Sequence, residues 1–193
     1  LHGVFEEFAD GRSVSPLPFA RIPYKESMLK YGSDKPDLRN PIVIADVSES
    51  FRGSDFKIFA RLVEEGSVVR AIPAPGASAQ PRSWFDKLNS WAQGQGQAGL
   101  GYINFKEDGP AGPIAKNLDE ARIAAIKETT GCQDGDAVFF VCGKEAAAAE
   151  FAGAARTEIG SQLGLIDENR FEFCWIVDFP MFEYDEKAKK VDF

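Results

Sequence analysis

Hydrophobic residues between positions 56 and 163 follow two periods, one typical of strands and the other typical of helices. Alternating or continuously apolar segments predict five strands, at 56–63, 67–73, 100–105, 112–117 and 137–142. Apolar residues spaced three or four apart predict three helices, at 82–93, 118–130 and 144–163. Strand pairs that alternate with helices predict an α+β fold. We expect a two-layer domain with a mostly antiparallel sheet and helices on one face.

The first of these segments, residues 56–63, fits both periods because it is short. Its apolar residues Phe56, Ile58 and Leu62 occupy even positions, which favours a strand. We interpret it as a strand that forms a hairpin with residues 67–73 across a short loop containing Gly66.

Residues 21–39 predict a helix followed by a charged loop. Pro23 suits the first helical turn, where its missing N–H would have no partner. Tyr24 and Tyr31 lie seven residues apart and therefore share one helical face. Gly32 follows the last apolar residue and is a natural left-handed cap.

The loop after this helix has the densest mixture of charges in the chain. Asp34, Lys35, Asp37 and Arg39 lie close together, and Pro36 keeps the residue before it extended. One interpretation is a functional loop. The other is a surface loop whose exposed ion pairs each contribute about 0–1 kcal/mol. The local sequence leaves both open.

Two further strands lie outside the α+β pattern, at 41–47 and 171–179. Every odd-numbered residue from 171 to 179 is apolar, which predicts one long, half-buried strand. Asp178 lies at the end of this strand. It is a candidate binding residue, because functional groups concentrate on loops that rigid elements carry, or else it simply terminates the strand.

These flanking strands divide the chain into three parts. We expect two arms, at 1–47 and 165–193, and an inserted domain at 48–164. Inserted domains are tolerated where their ends lie close together, so the arms should lie beside each other, away from the core of the insert. Leu1 is not an initiator Met, and residue 193 interrupts a predicted strand, so we expect a piece of a longer protein.

Composition and charge exclude several classes of function. The chain has 193 residues, of which 44% are hydrophobic and 27% charged, as in folded soluble proteins. No apolar run approaches the ~20 residues that span a membrane, and no signal peptide is recognisable at the start. The net charge is −8. Affinity for nucleic acids comes largely from Lys and Arg on phosphates, so this chain alone should bind RNA weakly.

The residues that most often carry metal or nucleophilic chemistry are sparse. The three cysteines, Cys132, Cys142 and Cys174, are far apart, and His2 is the only histidine. We therefore predict neither a metal site nor a catalytic residue within the chain. Residues 94–99 match GxGxxG, but they follow a helix and precede a strand, the reverse of the order in a dinucleotide site.

Three segments resemble a known family. Residues 21–41 read RIPYKESMLKYGSDKPDLRNP, and residues 171–186 read FEFCWIVDFPMFEYDE. Both strings resemble the catalytic domain of bacterial-type aspartyl-tRNA synthetases, which are class II enzymes. Residues 56–118 resemble the GAD domain that is inserted in these synthetases and is also found in subunits of tRNA-dependent amidotransferases.

This resemblance implies that the parent protein activates aspartate with ATP and Mg²⁺ and transfers it to tRNA. It also implies a cytoplasmic homodimer with no membrane association. The residues that hold ATP and aspartate in the family would lie outside this chain, so the chain itself should be accessory. The loop with Asp34, Lys35, Asp37 and Arg39 would lie near the tRNA acceptor end and ATP, with Asp178 as a further candidate.

Two alternatives come from other classes of protein. The chain could be a GAD-containing interaction module of an amidotransferase, although such a module should lack both flanking strings. It could also be a small-molecule-binding domain, which would show an enclosed apolar pocket with convergent polar groups. Arg156, on the last predicted helix, should pair with Glu150 or Glu158 at the surface, or else reach RNA.

Overall fold

The computed structural model describes residues 1–185 and 188–192. The helices of this part are α1 (His2–Phe8), α2 (Tyr24–Tyr31), α3 (Ser48–Phe51), α4 (Lys57–Glu64), α5 (Arg82–Gly94), α6 (Glu120–Thr130) and α7 (Glu145–Gln162). Its strands are β1 (Ser13–Val14), β2 (Ala20–Pro23), β3 (Ala45–Asp46), β4 (Val68–Ala74), β5 (Gly101–Lys106), β6 (Gly109–Ala111), β7 (Ala137–Gly143), β8 (Arg170–Phe171), β9 (Cys174–Val177), β10 (Glu183–Asp185) and β11 (Lys190–Asp192). None of these helices combines the length and the hydropathy needed to cross a membrane.

The largest sheet has five antiparallel strands in the order β3-β4-β7-β5-β6. Its central strand, β7, pairs with β4 along the whole length of both, from Val68 opposite Gly143 to Ala74 opposite Ala137. The α+β class and the antiparallel sheet predicted from the sequence are therefore confirmed.

Helices cover both faces of this sheet, whereas the sequence analysis placed them on one. Phe139 of β7 packs with α5 and α7 on one face. Phe140, its neighbour in the chain, packs with α3, α4 and α6 on the other face. Successive side chains of a strand point to opposite faces, and β4 and β7 are apolar at both parities. Both faces must therefore be buried, and the domain has three layers.

The strand predicted at 56–63 is wrong, because helix α4 occupies these residues. Val63 is buried, whereas Ile58 is 61% exposed, a pattern that follows the helical period. Phe59 packs against Phe51 with ring centroids 5.2 Å apart. The same residues alternate and also fit a helix, and packing onto Phe51 selects the helix. Strand β4 accordingly pairs with β3 and β7.

The predicted hairpin at 100–117 is shorter than expected. Strand β5 pairs with β6 across a tight turn, with Lys106 opposite Gly109. The predicted strand at 112–117 is wrong, since Ala115–Asn117 forms a 3₁₀ turn. Ile114 packs so closely over β5 that a Cβ on Gly101 would lie 2.6 Å from its Cδ1.

Residues 5–23 of the first arm lie beside residues 170–177 of the second arm, as expected. Strand β1 pairs with β8, and β2 pairs with β9, both in parallel. Phe5 of α1 packs edge-on against Phe171 and Phe173, with ring centroids 4.9 and 4.7 Å apart. These strands form their own two-stranded sheets and are separate from the five-stranded sheet.

The long strand predicted at 171–179 is divided in two, which corrects that expectation. Strand β8 ends at Phe171 and β9 begins at Cys174. Between them, the backbone N–H of Phe173 donates to the Ser15 hydroxyl at 2.9 Å. The alternation also fails as a guide to burial, since Trp175 is 59% exposed. A two-stranded ribbon buries little of either face.

The strand predicted at 41–47 is reduced to β3, which pairs with β4 and so joins the larger sheet. Ile42 and Ile44 are 2% exposed and belong to the core beneath α5 and α7. This part of the first arm therefore packs into the domain and not against the other arm. The division at 47/48 and 164/165 stays a prediction.

Candidate functional site

The charged loop lies between α2 and β3 and begins at a close contact with α7. Gly32 ends α2 with φ 68° and donates its N–H to the Met28 carbonyl at 3.1 Å. A Cβ on Gly32 would lie 2.3 Å from the carbonyl oxygen of Ala149 on α7. Only glycine fits both the left-handed conformation and this approach, so the loop starts where two backbones touch.

Asp34 and Lys35 form an ion pair at the surface. The Lys35 ammonium donates to both carboxylate oxygens of Asp34, at 3.0 and 2.8 Å. The Lys35 side chain is 84% exposed. An ion pair this exposed contributes little to stability, so both side chains remain available to a binding partner.

Asp37 and Arg39 form a second, more rigid pair. The Arg39 guanidinium donates Nε–H to Oδ1 of Asp37 at 2.9 Å and Nη2–H to Oδ2 at 2.8 Å. The Arg39 backbone N–H also donates to Oδ1, at 3.0 Å. The hydrogen bond from the Arg39 side chain is the main cause that lowers the pKa of Asp37. Asp37 is thus held ionised, with its carboxylate turned toward Arg39.

Arg156 holds this loop from the inside, which corrects the expectation of a surface ion pair or an RNA contact. It is 2% exposed. Its Nε donates to the Ile42 carbonyl at 2.7 Å, and its Nη2 donates to the carbonyls of Asp37 and Asn40 at 2.9 and 2.7 Å. Its guanidinium also lies 5.0 Å from the centre of the Tyr31 ring. Burial lowers the pKa of Arg156, yet an arginine stays protonated in proteins.

Asn40 forms a hydrogen bond from the loop to α7. Its Nδ2 donates to the Arg156 carbonyl at 3.0 Å, and its Oδ1 accepts from the Ile42 N–H at 3.1 Å. A Cβ on Gly160 would lie 2.3 Å from Nδ2 of Asn40, so glycine leaves the space that Asn40 fills. Loop and helix are therefore bonded in both directions.

Asp178 does not join this loop. It follows β9, where Val177 lies opposite Pro23, so it lies next to the start of α2. It is exposed, and its φ is 58°. The charged loop lies at the other end of α2, and eight helical residues span about 12 Å. The structure thus brings Asp34, Lys35, Asp37 and Arg39 together and leaves Asp178 apart from them.

Sequence reasoning did not predict the role of the three polar residues that hold the loop. Arg156 and Asn40 are two, and the third is Ser27, whose buried hydroxyl donates to the Ser33 carbonyl at 2.6 Å. A signal existed for Arg156, because a charged residue within an apolar stretch of helix is rarely buried without partners. Its acceptors could not be named, because backbone carbonyls have no sequence signature.

A cleft of about 800 Å³ lies apart from the charged loop. Helices α4 and α5 line it with Phe59, Leu62, Phe85 and Asp86. Strand β7 continues past the start of β5, so Cys142 on its open edge also lines the cleft. None of the predicted site residues lines it.

Metal and thiol chemistry find no support in the described residues. Within residues 1–185 and 188–192, no group of three or more His, Cys, Asp or Glu side chains could hold a metal ion. Burial raises the pKa of Cys132 and Cys174, and it raises the pKa of Cys142 to about 11. The raised pKa values favour the protonated thiol over the thiolate, which is the nucleophile.

The family model of the GAD domain matches residues 59–152. This range runs from α4 into α7 and contains the strands β4, β5, β6 and β7. Arg156 and the charged loop lie outside it. The predicted resemblance to a GAD domain is confirmed.

Several curated proteins are similar to the whole chain. The aspartate–tRNA(Asp/Asn) ligase of Paramagnetospirillum magneticum (strain ATCC 700264 / AMB-1) is 64% identical over 193 residues, which are 100% of this chain and 22% of that protein. The enzymes of the same name from Acidiphilium cryptum (strain JF-5) and Parvibaculum lavamentivorans (strain DS-1 / DSM 13023 / NCIMB 13966) are 61% and 59% identical, and the chain covers 32% of each. The predicted resemblance to aspartyl-tRNA synthetases is confirmed. The chain spans between about a fifth and a third of the length of these relatives.

Proposed function

We propose that this chain is the GAD-containing part of an aspartate–tRNA ligase, which activates aspartate with ATP and transfers it to tRNA. The observation that carries this proposal is the 64% identity to such a ligase across all 193 residues. The names of the relatives favour both the aspartate and the asparagine tRNA as acceptors.

The same observation disfavours an amidotransferase module. The matches to ligases cover 100% of the chain, and so they include both flanking strings at 21–41 and 171–186. A protein that shared only the GAD domain would match residues 59–152 and leave the flanks unmatched.

Within such a ligase, the part described here is accessory. Its described residues do not fit a Mg²⁺ site, since they contain no cluster of metal-binding side chains. We propose that the residues that hold ATP, Mg²⁺ and aspartate belong to the rest of the protein. The loop with Lys35 and Arg39 lies at the tRNA, where cationic side chains contact phosphates and set the orientation of the nucleic acid. The whole protein is proposed to be a cytoplasmic homodimer that does not bind membranes.

Aminoacylation by the whole protein tests this function. The full-length protein should attach aspartate to tRNA in the presence of ATP and Mg²⁺, with asparagine and glutamate as control amino acids. The 193-residue chain alone should give no aspartate-dependent pyrophosphate exchange. If the full-length protein aspartylated neither the aspartate nor the asparagine tRNA, the proposed function would be refuted. Pyrophosphate exchange by the 193-residue chain alone would refute its accessory role.

A further inference from the structure

We infer that Arg156 is a positioning residue, through which helix α7 fixes the loop at 33–42 in the conformation that contacts tRNA. This inference rests on the proposed function. The domain between the two arms would then determine the conformation of a loop that belongs to the first arm.

The loop has no regular structure that could fix its backbone. Residues 32–44 contain no helix or strand, so their carbonyls lack the partners that a helix or sheet would supply. Arg156 accounts for the carbonyls of Asp37, Asn40 and Ile42, all within 2.9 Å. Because a guanidinium is planar and its N–H groups point in fixed directions, one side chain defines the relative positions of three points on the loop.

Arg156 donates its hydrogen bonds to backbone and forms no salt bridge, although the Asp37 carboxylate is near enough to attract it electrostatically. Within the described residues, no Asp or Glu oxygen lies within salt-bridge distance of its guanidinium. Its bonds cross 114 to 119 residues of sequence, from α7 to the loop. A buried charge whose polar partners are all carbonyls of one loop stabilises one conformation of that loop, since any other leaves the charge buried without hydrogen bonds.

Contacts on either side of Arg156 leave the loop little freedom to move away. Asn40 bonds back to the Arg156 carbonyl at 3.0 Å. One turn before Arg156, a Cβ on Gly153 would lie 2.7 Å from the Gly32 carbonyl oxygen, and one turn after it Gly160 makes room for Asn40. The loop is thus held at its start, its middle and its end by one face of α7.

The hydrogen bonds from Arg156 turn the loop carbonyls toward α7, so the charged side chains of the loop point away from α7. Asp37 shows both effects, since its carbonyl accepts from Arg156 while its carboxylate accepts from Arg39. The Lys35 side chain is 84% exposed and that of Arg39 is 38% exposed. The result is two ion pairs on a fixed backbone, in which Lys35 is paired with Asp34 and Arg39 with Asp37. A phosphate would take the place of the carboxylate partner of each cation. Such a face suits a phosphate backbone that must be held in one register.

Hydrogen exchange on the 193-residue chain tests the positioning. In Arg156→Met, the amides of residues 33–42 should exchange about tenfold faster relative to those of β4 and β7. Arg156→Lys keeps the charge but not the planar guanidinium. The exchange rate of the loop amides in this variant should lie between those of the wild type and Arg156→Met. Arg61→Met is the control, because Arg61 is exposed on α4 and makes only a loose contact with Glu65 at 3.8 Å. Equal acceleration in the loop and in β7, or none in the loop, would overturn the inference.

Kinetics of the full-length protein test the link to tRNA. In Arg156→Met, the KM for tRNA should rise about tenfold, as expected for a misplaced contact loop. The KM values for ATP and aspartate in pyrophosphate exchange should stay within about twofold of wild type, because the residues that hold ATP and aspartate are proposed to belong to the rest of the protein. Asn40→Ala removes the return bond without leaving a buried charge, so it gives a second variant should Arg156→Met fold poorly. Unchanged KM for tRNA in both variants would refute the inference and leave the proposed function standing. A wild-type protein that does not aspartylate tRNA would refute the proposed function. The hydrogen-exchange experiment would still decide whether Arg156 positions the loop.

Discussion

Replacing Gly153 by alanine tests the contact between α7 and the end of α2. The new Cβ would lie 2.7 Å from the Gly32 carbonyl oxygen and 3.0 Å from the carbon of that carbonyl. Both are backbone atoms, so no side-chain rotation can relieve the overlap. Alanine in place of a helical glycine would by itself stabilise the helix by about 1 kcal/mol, whereas overpacking costs about 1–3 kcal/mol. We expect the overlap to prevail, with a net loss of up to about 2 kcal/mol.

Urea unfolding followed by circular dichroism measures this loss. The midpoint should fall while the slope m stays constant, because the surface exposed on unfolding does not change. Gly94→Ala is the matched control: Gly94 ends α5, and nothing lies within 4 Å of the Cβ it would gain. That variant should be neutral or up to about 1 kcal/mol more stable. If Gly153→Ala were as stable as Gly94→Ala, the backbone contact between α2 and α7 would not exist as described.

Two further substitutions probe the charged loop and a helix cap. Asp37→Asn should weaken the acid dependence of stability. The Arg39 hydrogen bond lowers the pKa of Asp37 in the folded state. This contribution is therefore complete above the unfolded value of about 3.9 and is lost as the pH falls through the lower, folded value. The wild type should lose more of its urea midpoint between pH 6 and pH 3 than the variant does, and parallel losses would contradict the assignment. Asp119→Ala removes the carboxylate that accepts from the Arg122 N–H at 2.9 Å, and it should lower the midpoint of thermal unfolding. Thermal unfolding measures this loss, with Asp119→Ser as a variant that retains most of the cap. Equal losses in both variants would argue against capping.

Local chemistry made some elements predictable from the sequence. Helix α6 lies where it is predicted, at 118–130, because its cap residues act locally: Asp119 is the N-cap, and Gly131 follows the helix in the left-handed conformation. Strand β7 was predictable from its unbroken apolar run. The period alone could not assign α4, because eight residues fit a strand or a helix and the choice depends on Phe51, outside the segment.

The site was predictable only in part, for a related reason. The charged residues of the loop form a compact group in the sequence and remain together in the structure, paired as Asp34 with Lys35 and Asp37 with Arg39. What holds the loop lies more than 110 residues away in the sequence, on α7. Arg156 binds backbone carbonyls, which every residue has, so no pattern of residue types could reveal those partners.

The parallel pairing of β2 with β9 makes everything between Pro23 and Cys174 a single crossover connection. If that connection were a flexible chain, the entropic cost of closing it would rise by about 0.6 kcal/mol with each doubling of its length. The chain instead leaves the five-stranded domain where it entered, since the Asp167 N–H donates to the Arg39 carbonyl at 3.3 Å. The domain therefore separates β2 and β9 by no more than a short loop would. We expect the entropic cost of pairing β2 with β9 to depend little on the size of the domain between them.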